Sequence, residues 1–123
     1  MSDPDGLVRA MCAAWARLDA DEIASYFTED AVYHNIPMDP VVGREAIRDF
    51  ITSFSAALDG IDFAIHRQTV NGTLVMNERT DTLRGAGKQT PLPVMGVFEI
   101  ADGKIAAWRD YFDMGGLTRA FGG

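Results

Sequence analysis

A chain of 123 residues, 47% of them apolar, suffices for one domain with a real core, and two independent domains are not expected. The formal charge of −7, from 18 acidic against 11 basic side chains, excludes the concentrated Lys and Arg that nucleic-acid phosphates or an anionic membrane require. No apolar run approaches the roughly 20 residues needed to span a bilayer, and no basic-then-apolar leader opens the chain, so a cytoplasmic location is expected.

Asp3-Pro4 reads as a helix start, because the carboxylate accepts from an orphan N–H and proline tolerates the first helical position. Leu7, Val8, Met11, Ala14, Trp15 and Leu18 recur at spacings of three and four, which predicts a first helix over 4–18. Cys12 lies within it and reads as a small buried residue, not a reactive thiol. Asp19 with Glu22 gives a capping-box-like start to a short second helix carrying Ile23, Ala24, Tyr26 and Phe27. Ala31 to Ile36 reads as a strand broken by Pro37 and Pro40, and the loop around Met38 is placed at the border of an opening. A third helix follows Val42-Gly43, with Ile47, Phe50, Ile51, Phe54 and Leu58 along one face, and stops at Asp59-Gly60.

Beyond that point the period changes. Ile61–Val70, Thr73–Arg84, Lys88–Ala101 and Lys104–Asp113 read as strands separated by Asn71-Gly72, Gly85-Ala86-Gly87 and Asp102-Gly103. The expected fold is α+β: a cone-shaped, strongly curved antiparallel sheet packed against three N-terminal helices, with a ligand chamber at its open end. Leu117 and Phe121, in the tail from Gly115 to Gly123, either fold over the mouth or fray. Gly85-Ala86-Gly87 joins two strands and opens no helix, so it reads as a turn and not as a nucleotide fingerprint. With one cysteine and two separated histidines, His34 and His66, a structural zinc site is not expected.

Polarity breaks this pattern at particular positions. Strand parity puts Val75, Asn77, Arg79, Asp81 and Leu83 on one face, and Ala106, Trp108, Asp110 and Phe112 on another. Tyr33 and Asn35 share a third face. Tyr33, Asn35, Arg79, Asp81 and Asp110 would meet if all three faces look inward. The pattern alone leaves a second reading open, in which Arg79 and Asp81 form a solvated ion pair, Tyr33 serves the core and Asn35 holds a turn. An inward cluster is chemically specific: one arginine between two carboxylates lets burial favour the acid form of one while the guanidinium favours the anion of the other. For an epoxide, one carboxyl then protonates the ring oxygen and the other deprotonates water, which a tyrosine and an asparagine orient.

Tyr33-His34-Asn35, Asn77-Glu78-Arg79-Thr80-Asp81 and Trp108-Arg109-Asp110-Tyr111-Phe112-Asp113 together resemble the signatures of the limonene-1,2-epoxide hydrolase family, within the nuclear-transport-factor-two-like (SnoaL-like) superfamily. The resemblance in layout runs from the N-terminal helices to Asp113. It implies Asp81 as acid toward the epoxide oxygen, Asp110 as base toward water, Arg79 as the bridge between them, and Tyr33 and Asn35 as holders of the water. It also implies a vicinal trans-diol product, no metal, no organic cofactor and a homodimer.

Met38, Leu83, Trp108 and Phe112 are the expected substrate-binding walls for a small apolar epoxide. Trp15, Leu92, Met95 and Phe98 read as core before pocket, and Leu74 is left out of the chamber on parity. Arg109 and Asp113 are assigned to an outer ion network, and His34 to a structural hydrogen bond. Two other classes fit the same architecture: a ketosteroid-isomerase-like or polyketide-cyclase-like enzyme, which needs a base at carbon and no held water, and a non-catalytic module binding an apolar ligand.

Overall fold

The computed structural model describes residues 3–121; Gly122 and Gly123, the last of the expected tail, lie outside them. Helix α1 (Pro4–Ala14) begins where Asp3 Oδ1 accepts from the Gly6 amide at 2.7 Å, and buries Leu7, Val8, Met11, Cys12 and Ala14. Burial pushes the Cys12 thiol up to about 12, which leaves it an inert core group. The helix is shorter than the apolar spacing suggests, because a 3-10 turn (Trp15–Arg17) follows and Leu18 takes a left-handed φ of 52°. Helix α2 (Ala20–Ala24) is little more than one turn, capped by the Asp19 side chain on the Asp21 and Glu22 amides.

Strand β1 (Phe27–Asn35) starts earlier than expected, so Phe27 belongs to the sheet and not to the helix. Strand β2 (Val41–Val42) makes a short hairpin with it. Helix α3 (Arg44–Ala56) lays Ile47 and Ile51 fully into the core, with Phe50 and Phe54 half-buried beside them. Strands β3 (Gly60–Asn71), β4 (Leu74–Gly85), β5 (Lys88–Ala101) and β6 (Lys104–Tyr111) form an antiparallel meander. Two of its turns, Ala86-Gly87 and Asp102-Gly103, hold both central residues at positive φ, the hand that matches strand twist. Helix α4 (Met114–Ala120) ends the chain.

The expected cone-shaped antiparallel sheet on three N-terminal helices is corrected by this topology. The strand order is β2-β1-β6-β5-β4-β3, with β1 running parallel to β6, so the six-stranded sheet is mixed. Its outer strands, β2 and β3, are not neighbours, so it stays open instead of curling closed. Local turns declare the meander, whereas the β1–β6 pairing joins segments about seventy residues apart with no turn between them, and nothing local in the sequence marks it. The helical layer also gains α4, from a stretch expected either to cover the mouth or to fray.

Helix α4 has a defined seat. Strand β6 pairs β5 only over Met95–Ala101, leaving the first half of β5 with β4 alone on its flank, which is why Pro91 and Pro93 are tolerated there. The helix packs on that half, its Gly116 so close to Leu92 that an added Cβ would come within 2.7 Å of Leu92 Cδ1. Asp113 caps its start by accepting from Gly115 N at 3.2 Å, and Lys88 Nζ donates to the Arg119 carbonyl at 2.7 Å. Among the described residues no helix is long and apolar enough to cross a membrane.

Candidate active site

One rung of the sheet carries polar side chains on four of its five strands. Cross-strand partners put Asn35 (β1), Asp110 (β6), Gly96 (β5), Asn77 (β4) and Gln68 (β3) in register, on the face the helices cover. The next rung is apolar: Tyr33, Trp108, Phe98, Val75 and Val70. Arg79 and Asp81 follow Asn77 at alternate positions of β4, whose burial alternates accordingly.

Arg79 is 1% exposed and all five of its N–H groups are used. Nε donates to Asp81 Oδ1 at 3.0 Å and Nη2 to Asp81 Oδ2 at 2.8 Å. Nη2 also donates to Asp110 Oδ2 at 2.8 Å, while Nη1 reaches Asp110 Oδ1 at 3.2 Å and Asn77 Oδ1 at 3.0 Å. The guanidinium lies over Phe63 at 4.8 Å from the ring centre and 5.8 Å from that of Trp108. Gly96 makes room for this: a Cβ there would stand 2.5 Å from Arg79 Nη1, 2.8 Å from Asn77 Oδ1 and 2.9 Å from Asp110 Oδ1.

The two carboxylates differ in their surroundings. Asp110 accepts a third hydrogen bond, from Trp108 Nε1 to Oδ1 at 2.6 Å. Asp81 has only the guanidinium, and burial raises it to about 6 against the pull of Arg79, with the neighbouring Asp110 charge adding to the rise. Burial disfavours the Arg79 charge, yet the two carboxylates outweigh it and hold the guanidinium well above its ordinary range. With both acids ionised the buried triad carries −1; with one proton it is neutral, the state a low-dielectric site prefers. Because Asp81 binds its proton more tightly folded than unfolded, its stabilising contribution is full below about 4 and falls away as pH rises through about 6. Melting temperatures followed across that interval are expected to fall less for Asp81→Asn than for the unsubstituted protein.

Asp81 and Asp110 open onto a cavity of about 40 Å³, lined also by Tyr33, Asn35, Met38, Leu83, Phe112, Leu92, Val94, Phe50, Phe54, Ile61, Phe63, Trp15 and Leu117. That is room for one to a few waters, given that a water occupies ~30 Å³ of liquid. Burial and the Asp110 charge raise the Tyr33 hydroxyl above its usual range, so it stays a neutral donor. Met38, Phe50, Phe54 and Leu117 separate this cavity from an outer apolar recess of about 530 Å³ that also touches Met114 and Phe121. A larger recess, about 970 Å³, lies elsewhere, between α2, β2 and the start of α3, and holds none of these residues.

The structure thus brings Tyr33, Asn35, Arg79, Asp81 and Asp110 together, with Met38, Leu83 and Phe112 on the cavity wall. Trp108 is not on that wall. It sits fully buried behind it, stacked on Tyr33 at 4.3 Å and bonded to Asp110. Sequence reasoning did not single out Asn77, although parity had already placed it beside Arg79. Nor did it mark Phe50, Phe54, Ile61, Phe63 or Val94 as wall, since apolar residues at regular spacing carry no sign of what they enclose.

Outside the cavity, Arg109 Nη1 pairs with Glu99 Oε2 at 2.7 Å, His34 Nε2 meets the Met38 carbonyl at 2.9 Å, and Asp113 serves α4 as its cap. Among the described residues no group of three or more His, Cys, Asp or Glu side chains is placed to hold a metal ion.

The chain is similar to known proteins over most of its length. Residues 8–108 match the model of the SnoaL-like domain. The chain is 33% identical over 107 residues to the epoxide hydrolase EphG of Mycobacterium tuberculosis, spanning 87% of this chain and 71% of that one. It superposes on the structure of an M. tuberculosis LEH-like epoxide hydrolase with a TM-score of 0.81 and 30% identity, covering 94% of this chain and 86% of that one. A protein with a ketosteroid-isomerase-like fold from Catenulispora acidiphila aligns with a TM-score of 0.85 but 19% identity, over 94% and 92% of the two chains, which speaks to the fold alone. With the family model matching most of its length, the chain belongs to the SnoaL-like domain family.

Proposed function

We propose that this protein is an epoxide hydrolase, converting a small apolar epoxide and water to a vicinal trans-diol in one step. The observation that carries the reading is a buried arginine bonded to two carboxylates at the wall of an apolar cavity that Tyr33 and Asn35 also line. Similarity to the epoxide hydrolase EphG and to the structure of an LEH-like epoxide hydrolase, both of M. tuberculosis, supports it. Asp81, the carboxyl that burial raises, gives its proton to the ring oxygen as the carbon–oxygen bond breaks. Asp110 takes a proton from water as the new carbon–oxygen bond forms on the opposite face, which sets the trans product. Tyr33 and Asn35 orient that water. The proton count of the triad is the same before and after: Asp81 starts protonated and ends ionised, Asp110 the reverse. Arg79 stays bonded to both, so the site never acquires net charge during the step.

Turnover in oxygen-18 water tests this. One labelled oxygen in each diol is expected; an unlabelled isomer would favour the ketosteroid-isomerase-like reading, and ligand binding without turnover the carrier reading. Since Asp81 must begin protonated, kcat/KM is expected to decline about tenfold per pH unit above about 6, and an alkaline limb absent until far higher pH would remove Asp81 from the acid's role.

The cavity is well below the ~300–1,000 Å³ of ordinary ligand pockets, so a substrate must displace wall residues, Leu117 foremost. Leu117→Ala is expected to lower KM for bulky cyclic epoxides several-fold while destabilising the fold by about 2–5 kcal/mol. KM measured across a series of ring sizes, together with a melt, checks both. The reading extends to a homodimer through the outer sheet face, where Leu74, Met76, Met95 and Tyr111 are exposed. Sedimentation showing only monomer at working concentrations would rule that out.

A further inference from the structure

The polar rung does not end at the triad. Asn77 is 2% exposed, and its side chain is bonded at both ends: Oδ1 accepts from Arg79 Nη1 at 3.0 Å and Nδ2 donates to Gln68 Oε1 at 3.0 Å. Gln68 Nε2 in turn donates to Asp5 Oδ1 at 2.8 Å and to the Asp5 carbonyl at 3.1 Å, in the first turn of α1. A guanidinium has only donors and an ionised carboxylate only acceptors, so the two amides between them can be oriented one way. Asn77 must show its oxygen to Arg79, which turns its amino group to Gln68, whose oxygen must face it and whose amino group must face Asp5. The exposed Asp5 carboxylate is held below its ordinary range, first by Gln68 and also by Arg9, and so remains an acceptor.

We propose that Asn77 is a positioning residue for Arg79, and that Gln68 fixes the orientation of Asn77. Nη1 carries one N–H for Asp110 and one for Asn77, so Asn77 is the one acceptor on the guanidinium that is not a carboxyl group. Without it, one Nη1 hydrogen loses its acceptor and the pull of Asp110 on Nη1 is no longer balanced, leaving the bonds to Asp81 to resist a shift of the fork toward Asp110. The two roles of the carboxyls depend on Arg79 dividing its bonds between them, and small displacements of such groups weaken catalysis strongly. The charged or titratable groups within electrostatic reach of the guanidinium are Asp81 on its own strand, Asp110 on β6, Tyr33 on β1 and Cys12 on α1.

The proposal rests on the epoxide-hydrolase reading for its kinetic consequence but not for its structural one, and the test separates them. In Asn77→Leu, kcat for epoxide opening is expected to fall about tenfold or more with KM within about twofold. Carbon-13 carboxyl spectra are expected to show Asp81 titrating higher than in the unsubstituted protein, since burial acts on it with a loosened Arg79. Gln68→Leu, at a half-buried position, is expected to move both readouts in the same direction by less, and it decides the matter if Asn77→Leu does not fold. Folded variants with unchanged kcat and an unchanged Asp81 titration would overturn the positioning role. If the unsubstituted protein opens no epoxide while the Asp81 titration still moves in the variants, the proposed activity falls and the positioning role stands.

Discussion

Replacing Asp110 by Asn is expected to leave a folded protein whose kcat for epoxide hydrolysis is lower by at least roughly 100-fold, the usual scale of a lost proton transfer. With its oxygen at the Oδ1 position the amide still accepts from Trp108 Nε1 and Arg79 Nη1, while its amino group forfeits the bond from Arg79 Nη2, so most of the packing survives. It cannot take a proton from water. Asp81→Asn is expected to lose a similar factor for the opposite reason, because the amide does not release a proton to the ring oxygen. Both are read from initial rates of diol formation beside circular dichroism of the purified variants. Near-full activity in either folded variant would reject the role assigned to that residue.

The larger effect on stability belongs to Arg79. Arg79→Met leaves two buried carboxylates facing one another without their cation, and breaking a buried ion group in this way destabilises by about 3–5 kcal/mol. The loss is expected to shrink as pH falls, because protonating the stranded acids removes the repulsion. Removing all three charges together, with Arg79→Met, Asp81→Leu and Asp110→Leu, is expected to recover most of the melting temperature and none of the activity. A single variant as stable at neutral pH as the unsubstituted protein would mean that the carboxylates are not held by Arg79.

Strand parity makes a meeting of Arg79, Asp81 and Asp110 one of two readings, the other being a solvated Arg79–Asp81 pair. Arg79 and Asp81 are two apart on one face of β4, and Asp110 interrupts an apolar row on β6, so each announces itself as a charge where volume was due. The rung that unites them is not readable in the same way. It depends on register: Asn35 meets Asp110 through a parallel pairing that no turn declares, and Gln68 meets Asn77 only after a register shift between Ile65 and Arg67. The role of Trp108 is hidden for another reason, since its ring reads as core and only coordinates reveal an indole N–H turned to a carboxylate. Helix ends differ from the apolar spacing where apolar residues outlast the helix, as at Leu18 and Phe27, because the same side chains fill the core from a turn or a strand.

At position 96 a strand in the middle of the sheet forgoes a side chain, and three buried polar atoms from β4 and β6 crowd the space so released. Even a single methyl group there would press on the arginine, one acid and the neighbouring amide simultaneously, and each is already committed to the others by hydrogen bonds that a retreat would stretch. Loss of this glycine would therefore undo the chemistry without touching any residue that performs it, so in any related sequence the tolerance for alanine at that point is itself a sign of whether the charged cluster beneath is still assembled.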